Sequence, residues 1–189
     1  VENFYAGVSD REHEVNKLML QLHRDSAFNI PSVRDIANAD AVLIVGEDVT
    51  NTAPRIALAL RQSIRHKASE LAAENNIPGW QDAAVRELAQ HNRSPLFILS
   101  NAATRLDDVA VETTTGSYSD QARIAYAVAN AIAGQSNDEF GLSESQQSLV
   151  EDISQALKSA KRPLLVPGSS NGEGELIKAA AHVARARKS

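Results

Sequence analysis

The sequence predicts a three-layer α/β domain, a mainly parallel sheet with helices on both faces. Three observations carry that prediction. The segment Ala39–Lys67, ADAVLIVGEDVTNTAPRIALALRQSIRHK, is a short apolar run that ends at Gly46, crosses a polar loop and enters a long amphipathic stretch at Pro54. Strand, turn and helix in that order are the unit from which parallel sheets are built. Two more apolar runs, Pro95–Ser100 and Pro163–Val166, are separated by stretches of helical periodicity. The connections are too long for hairpins, so the strands cross over and run the same way.

Taken in order, the first helix begins at Ser9. Ser9 and Glu12 stand three apart, the spacing of a capping box in which each side chain satisfies the other's free backbone N–H. Val15, Leu18, Met19 and Leu22 then share one face. Pro31 ends the next loop, and Ser32–Asp35 repeats the capping pattern before the strand at Ala41. Beyond that strand, Pro54 suits a first helical turn because its missing N–H has no partner there anyway. Ile56, Ala59, Leu60 and Ile64 form the inward stripe, while Arg61, Arg65 and Lys67 crowd the final turns and complement the helix dipole.

A second helical stretch runs to Glu74, Pro78-Gly79 breaks the chain, and Trp80–Gln90 reads as a helix with Trp80, Ala84 and Leu88 in register. The β-branched stretch Asp107–Thr115 predicts a third strand at Val109–Thr113. Asp120 starts an alanine-rich helix to Ala133 that buries Ala122, Ala125, Tyr126, Ala129 and Ile132. Ala133–Gly141 is a polar loop and a candidate hinge. Ser143 and Gln146 open a helix carrying Leu149, Ile153, Ala156, Leu157 and Ala160. The last strand, Pro163–Val166, leads into the glycine-rich loop Gly168–Gly174 and a terminal helix. There is no fixed-period repeat. Residues 1–38 read as a helical lead-in and 39–189 as one α/β core, because the strand beyond the polar loop has no other sheet to join.

Composition narrows the function classes. A length of 189 residues suits one well-buried core, and 43% apolar with 23% charged residues fits an ordered globular chain. Aromatic residues make up only 4%, so helices and sheet pack through alanine and aliphatic side chains. A net charge of −5 argues against non-specific nucleic-acid binding, which needs a basic face. The absence of cysteine excludes disulfides, thiolate metal sites and cysteine-ligated iron–sulfur clusters within these residues. No apolar run approaches the roughly 20 residues that span a bilayer. The opening VENFYAGVSDREHEV is too polar for a secretory signal, and a cytosolic location is expected.

Several motifs invite chemistry. The loop after the Ala41–Val45 strand is where phosphate groups often bind in such folds, against a helix N-terminus. Here it carries Glu47 and Asp48 and no Lys or Arg between Gly46 and Pro54, so carboxylates stand where an anion would sit. Gly168-Ser169-Ser170-Asn171-Gly172 matches the G-x-S-x-G of a nucleophile elbow between strand and helix. After Ser170, however, there is no Asp, and His182 lies on the very next helix, too near in sequence for a triad built across intervening strands. The same loop offers backbone N–H groups to phosphate, but it lacks a P-loop Lys, and Glu173 and Glu175 occupy the following turn. His13-Glu14 opens like H-E-x-x-H, yet the fifth position is Lys17. Asp107-Asp108 is an acidic pair with the donors for Mg²⁺, although adjacent loop carboxylates are usually just solvated. Arg55, Arg61, Arg65 and Lys67 read as a solvated helix face or a contact for an acidic partner.

The segments ENFYAGVSDRE (Glu2–Glu12), Ala39–Arg65, TRLDDVA (Thr104–Ala110), Asp120–Ile132 and Arg162–Ala186 together resemble one family, with GEDVTNTAPRIALALRQ and TRLDDVA the most specific parts. It is the molybdopterin-oxidoreductase-like domain of the large G subunit of bacterial NADH–quinone oxidoreductase, respiratory complex I. The resemblance implies a Rossmann-like, molybdopterin-oxidoreductase-type fold that is an internal piece of a longer subunit, with iron–sulfur clusters held elsewhere in that subunit. Wider relatives that bind a molybdopterin guanine dinucleotide carry a G-x-N-P-x-E type loop after the equivalent strand. Here Gly46 and Pro54 resemble its ends, but Asp48 replaces the Asn and Val49 the Pro. Their P-G-T-D element reads Ser117-Tyr118-Ser119-Asp120, retaining only the Asp.

The resemblance thus implies a scaffold without chemistry of its own, with no catalytic, cofactor-binding or metal residue assigned and no molybdopterin. Its expected partners are the rest of its own polypeptide and neighbouring subunits of the peripheral arm, on the cytoplasmic side of the inner membrane, without insertion into it and without nucleic acid. The rival readings are a competent nucleotide- or pterin-binding domain and a serine hydrolase at Gly168–Gly172.

Overall fold

A computed structural model describes residues 7–78, 80–81, 83–85, 87 and 92–188. Four strands form one sheet: β1 (Ala41–Val45), β2 (Leu96–Ser100), β3 (Glu112–Thr115) and β4 (Pro163–Pro167). Their order is β3-β2-β1-β4, and every neighbouring pair is parallel. β1 is central. Val42–Val45 pair with Leu96–Leu99 on one side, and Ala41–Val45 with Pro163–Pro167 on the other.

The helices are α1 (Asp10–Arg24), α2 (Val33–Ile36), α3 (Val49–Thr52), α4 (Pro54–Ile64), α5 (His66–Glu74), α6 (Tyr118–Ala133), α7 (Glu144–Ser159) and α8 (Gly174–Lys188), with a 3₁₀ turn at Asp138–Phe140. Because successive strand side chains alternate in direction, β1 feeds two cores. Leu43 and Val45 join Phe97 and Leu99 beneath Ile124, Val128, Ile153, Leu157, Leu176 and Val183 of α6, α7 and α8. Val42 and Ile44 join Leu96 and Ile98 beneath Leu60, Ile64 and Leu106 on the opposite face. All five β1 residues are buried, as a strand covered on both faces requires.

Helix starts follow the sequence closely. Ser9, Ser32 and Ser143 each close a capping box, with Glu12, Asp35 and Gln146 respectively. Four expectations need correction. The third strand lies at Glu112–Thr115 rather than Val109–Thr113, because residues from Thr104 turn first. Asp107 accepts from the Thr104 N–H and hydroxyl, and Val109 and Ala110 both donate to the Leu106 carbonyl. The alanine-rich helix begins at Tyr118, two residues before Asp120, since Ser117 is its cap. On α1 only Val15 is buried, and Met19 is 41% exposed, because the helix lies on α8 and not in the core. Trp80 is 80% exposed and so anchors no buried face, while Leu88 and much of Trp80–Gln90 lie outside the described residues.

Candidate functional site

In a parallel sheet of this order, the connections from β1 and β4 leave in opposite directions, opening a crevice at the strands' carboxyl ends where ligands of such folds bind. The loops that meet there are Gly46–Asp48 after β1 and Gly168–Glu173 after β4.

Gly46 has φ +78°, so the chain turns sharply as it leaves the sheet, and its N–H donates to the Leu99 carbonyl at 2.7 Å. Leu176 fills the space a side chain would need, since a Cβ on Gly46 would lie 2.3 Å from Leu176 Cδ1. Gly168 meets this turn backbone to backbone. Its N–H donates to the Val45 carbonyl at 2.6 Å, and a Cβ there would fall 2.3 Å from the Gly46 oxygen. Asn171 Nδ2 donates to the same Gly46 oxygen at 2.5 Å, holding the two loops together.

Glu47 lies between them, with only 6% of its surface exposed. Its Oε2 accepts from the backbone N–H groups of Ser169 (3.0 Å) and Ser170 (3.1 Å). Its Oε1 accepts from the Ser170 hydroxyl at 2.7 Å and from the Thr52 hydroxyl at 3.0 Å, which also lies 3.1 Å from the Asp48 carbonyl. Adjacent backbone N–H groups converging on one oxygen are the geometry in which proteins hold phosphate or carboxylate. Here the anion belongs to the chain itself. The carboxylate thus fills the crevice, whereas the sequence suggests a charge that repels from its mouth.

Asp48 turns away into local structure. It caps α3, accepting from the Thr50 N–H (3.0 Å), the Thr50 hydroxyl (2.5 Å) and Asn51 Nδ2 (2.6 Å). The second dinucleotide-like element is likewise spent on capping. Asp120 accepts from the Ser117 hydroxyl at 2.6 Å and pairs with Arg123 at 2.9 Å, and the Ser117 bond foremost holds its carboxyl below the usual range. Behind it, Gln121 is buried and donates to the Gly116 carbonyl at 2.9 Å, while its Oε1 lies beside Gly46 with no hydrogen-bond partner among the described residues.

The remaining candidates are dispersed. The Ser170 hydroxyl points at Glu47, whereas His182 packs edge-on against Tyr126 at 5.2 Å in a separate groove with Leu18, Asp25 and Arg185. Asp107 is held by Thr104, and Asp108 pairs with Arg61 at 2.8 Å, so the two carboxylates serve different partners. His13 and Lys17 are exposed, and among the described residues no three His, Cys, Asp or Glu side chains cluster as a metal would need. Arg55, Arg65 and Lys67 are exposed, and Arg61 is joined to the Thr104–Ala110 turn through Asp108. Glu173 reaches Arg11 of α1 at 3.4 Å, and Glu175 is held below the usual carboxylate range chiefly by Lys178.

Nothing local in the sequence pairs Glu47 with its partners. Ser169 and Ser170 follow it by 122 and 123 residues, and the available signal was a glycine at the end of each of two strands, Gly46 and Gly168.

Fold and site together define a Rossmann-like α/β domain whose loops at the carboxyl ends of β1 and β4 enclose the Glu47 side chain. No protein-family model matches the chain. Over 187 residues, 99% of its length, it is 46% identical to the G subunit of NADH-quinone oxidoreductase from Pseudomonas fluorescens. It is 44% identical to the corresponding G subunit of Pseudomonas putida and 42% identical to that of Escherichia coli K12 over the same extent. The chain spans about a fifth (21%) of the length of these relatives. It is therefore a homologue, over 187 of its 189 residues, of a segment of the NADH-quinone oxidoreductase G subunit.

Proposed function

We propose that this chain is a non-catalytic structural module of the G subunit of NADH–quinone oxidoreductase, bound to the rest of that polypeptide and to neighbouring subunits of the peripheral arm on the cytoplasmic side of the inner membrane. In this reading, iron–sulfur clusters outside the segment carry electrons from NADH towards quinone, and the segment holds no molybdopterin. The observation that carries the reading is the buried Glu47 carboxylate with its four hydrogen bonds, which occupies the crevice a dinucleotide cofactor would enter. The homology to the G subunit supplies the context. Among the described residues no helix is long and apolar enough to cross a membrane, which agrees with a peripheral position.

The test is a Gly168→Ala substitution in the full-length G polypeptide within its complex. A Cβ at 2.3 Å from a backbone oxygen forces the two loops apart and disrupts the module. A scaffold predicts less assembled complex with unchanged NADH–quinone turnover per assembled complex. It also predicts no stoichiometric molybdenum or pterin in the intact wild-type complex. Normal assembly with lost turnover, or a co-purifying pterin, would overturn the reading.

A further inference from the structure

We propose that the two loops at the carboxyl ends of β1 and β4 form a preformed oxyanion cradle whose resident ligand is the chain's own Glu47 carboxylate, and that removing this side chain leaves a site for a free oxyanion of the phosphate class. The cradle and the assembly role are separable, since the first is local hydrogen-bond chemistry and the second concerns the complex.

The donors come from two places far apart in sequence: the Thr52 hydroxyl on α3, and the Ser169 N–H, Ser170 N–H and Ser170 hydroxyl on the β4 loop. Among the described residues no cation pairs with Glu47, so recognition rests on neutral donors and backbone dipoles. Carboxylate and phosphate present the same feature to such donors, two oxygens on one central atom that each accept more than one bond.

The cradle does not depend on the carboxylate for its shape. The Gly168–Val45 and Asn171–Gly46 hydrogen bonds hold the loops together without it, and the Gly168–Gly46 approach admits no side chain. A cleft of about 350 Å³, whose walls include Val8, Glu12, Asn16, Ser169, Ser170 and Gly172, borders the same Ser169–Ser170 turn.

The experiment compares thermal melts of the wild-type 189-residue chain, Glu47→Ala and Glu47→Gln in sodium phosphate and in sodium chloride at matched ionic strength. Glu47→Ala is expected to melt below wild type in chloride and to regain stability saturably with phosphate. Wild type and Glu47→Gln, whose crevices stay filled, show no saturable response. Adding Ser170→Ala to Glu47→Ala raises the half-saturating phosphate concentration about tenfold, the loss of one hydrogen bond to a charged group. An equal phosphate response in wild type and Glu47→Ala, or indifference to Ser170→Ala, would mean an adventitious ion only and overturn the cradle. Should Glu47→Ala not fold in chloride, refolding yield reads the same question. Recovery in phosphate supports the cradle, and failure in both salts overturns it.

Discussion

Glycine is required at two positions of the loop after β4 for two different reasons, and the difference sets the size of the mutational effects. Gly168 is excluded from bearing a side chain by a backbone oxygen, 2.3 Å from where its Cβ would stand, and backbone cannot swing aside. Gly172 has φ +70° but meets nothing nearer than Arg11 Cβ at 3.5 Å, so alanine there bears chiefly the strain of left-handed backbone. Gly172→Ala is expected to cost about 1–2 kcal/mol, and Gly168→Ala well above that, because the second also separates the Glu47 donors. Differential scanning calorimetry of both variants checks the ranking, and equal melting temperatures would contradict it. This part of the site was only half legible in sequence. Glu47 and Asp48 are equivalent as letters, two carboxylates in one loop, yet one is buried and the other caps α3. The distinction is made by Ser169 and Ser170 from the β4 loop, and no local pattern announces such a contact.

Elements whose signals are local are readable, and those fixed by tertiary contacts are not. The bounds of β1 follow from an apolar run closed by Gly46, and α4 starts at Pro54 for the stereochemical reason that places proline in a first turn. β3 defies the same logic. Its β-branched residues begin at Val109, but Asp107 draws the Thr104–Ala110 segment into a turn, and Arg61 of α4 fastens that turn through Asp108 at 2.8 Å. α3 leaves no sequence signal because four residues carry no periodicity, and its start is set by the Asp48 side chain, which accepts from the Thr50 N–H. Caps, by contrast, are legible and separable from the core. Ser143 donates no packing, being exposed, yet its side chain accepts from the Gln146 N–H while Gln146 returns to the Ser143 N–H. Ser143→Ala is expected to cost about 1 kcal/mol, a fall of roughly 2–4 °C in melting temperature for a domain of this size. Ser143→Asp, which keeps an acceptor at the cap, should stay close to wild type in the same melt. If the two variants fell equally, the cap would not be the cause.

At the scale of the whole molecule, acid is expected to weaken this fold, and the sign follows from how its carboxylates are held. Asp35 is held low by Ser32, Asp108 by Arg61, Asp120 by Ser117, and Glu70 by Arg162 with His66 contributing; Asp25 is held low by the Ala27 N–H and Arg185. Each is more acidic folded than unfolded, so the unfolded chain binds protons first as pH falls. Their stabilisation is complete above the ordinary carboxylate range, about pH 4, and drains away as pH drops through and below it. These groups lie on the surface, so each contributes little alone and salt weakens them all. Net charge works in the same direction. The chain carries −5 at neutrality, and protonating its carboxylates uncovers 19 lysines and arginines whose mutual repulsion favours expansion. Melting temperature should therefore be nearly flat from pH 7 to about 5 and fall steeply below about 4. Replacing Glu70 with Gln removes the negative partner shared by Arg162 and His66, at 2.9 Å from each, and should flatten the acid limb slightly without moving the neutral plateau by more than the small amount expected of a surface pair. A melting temperature that rose on acidification, or an acid limb steepened by that replacement, would show that the carboxylates are not held as their geometry requires.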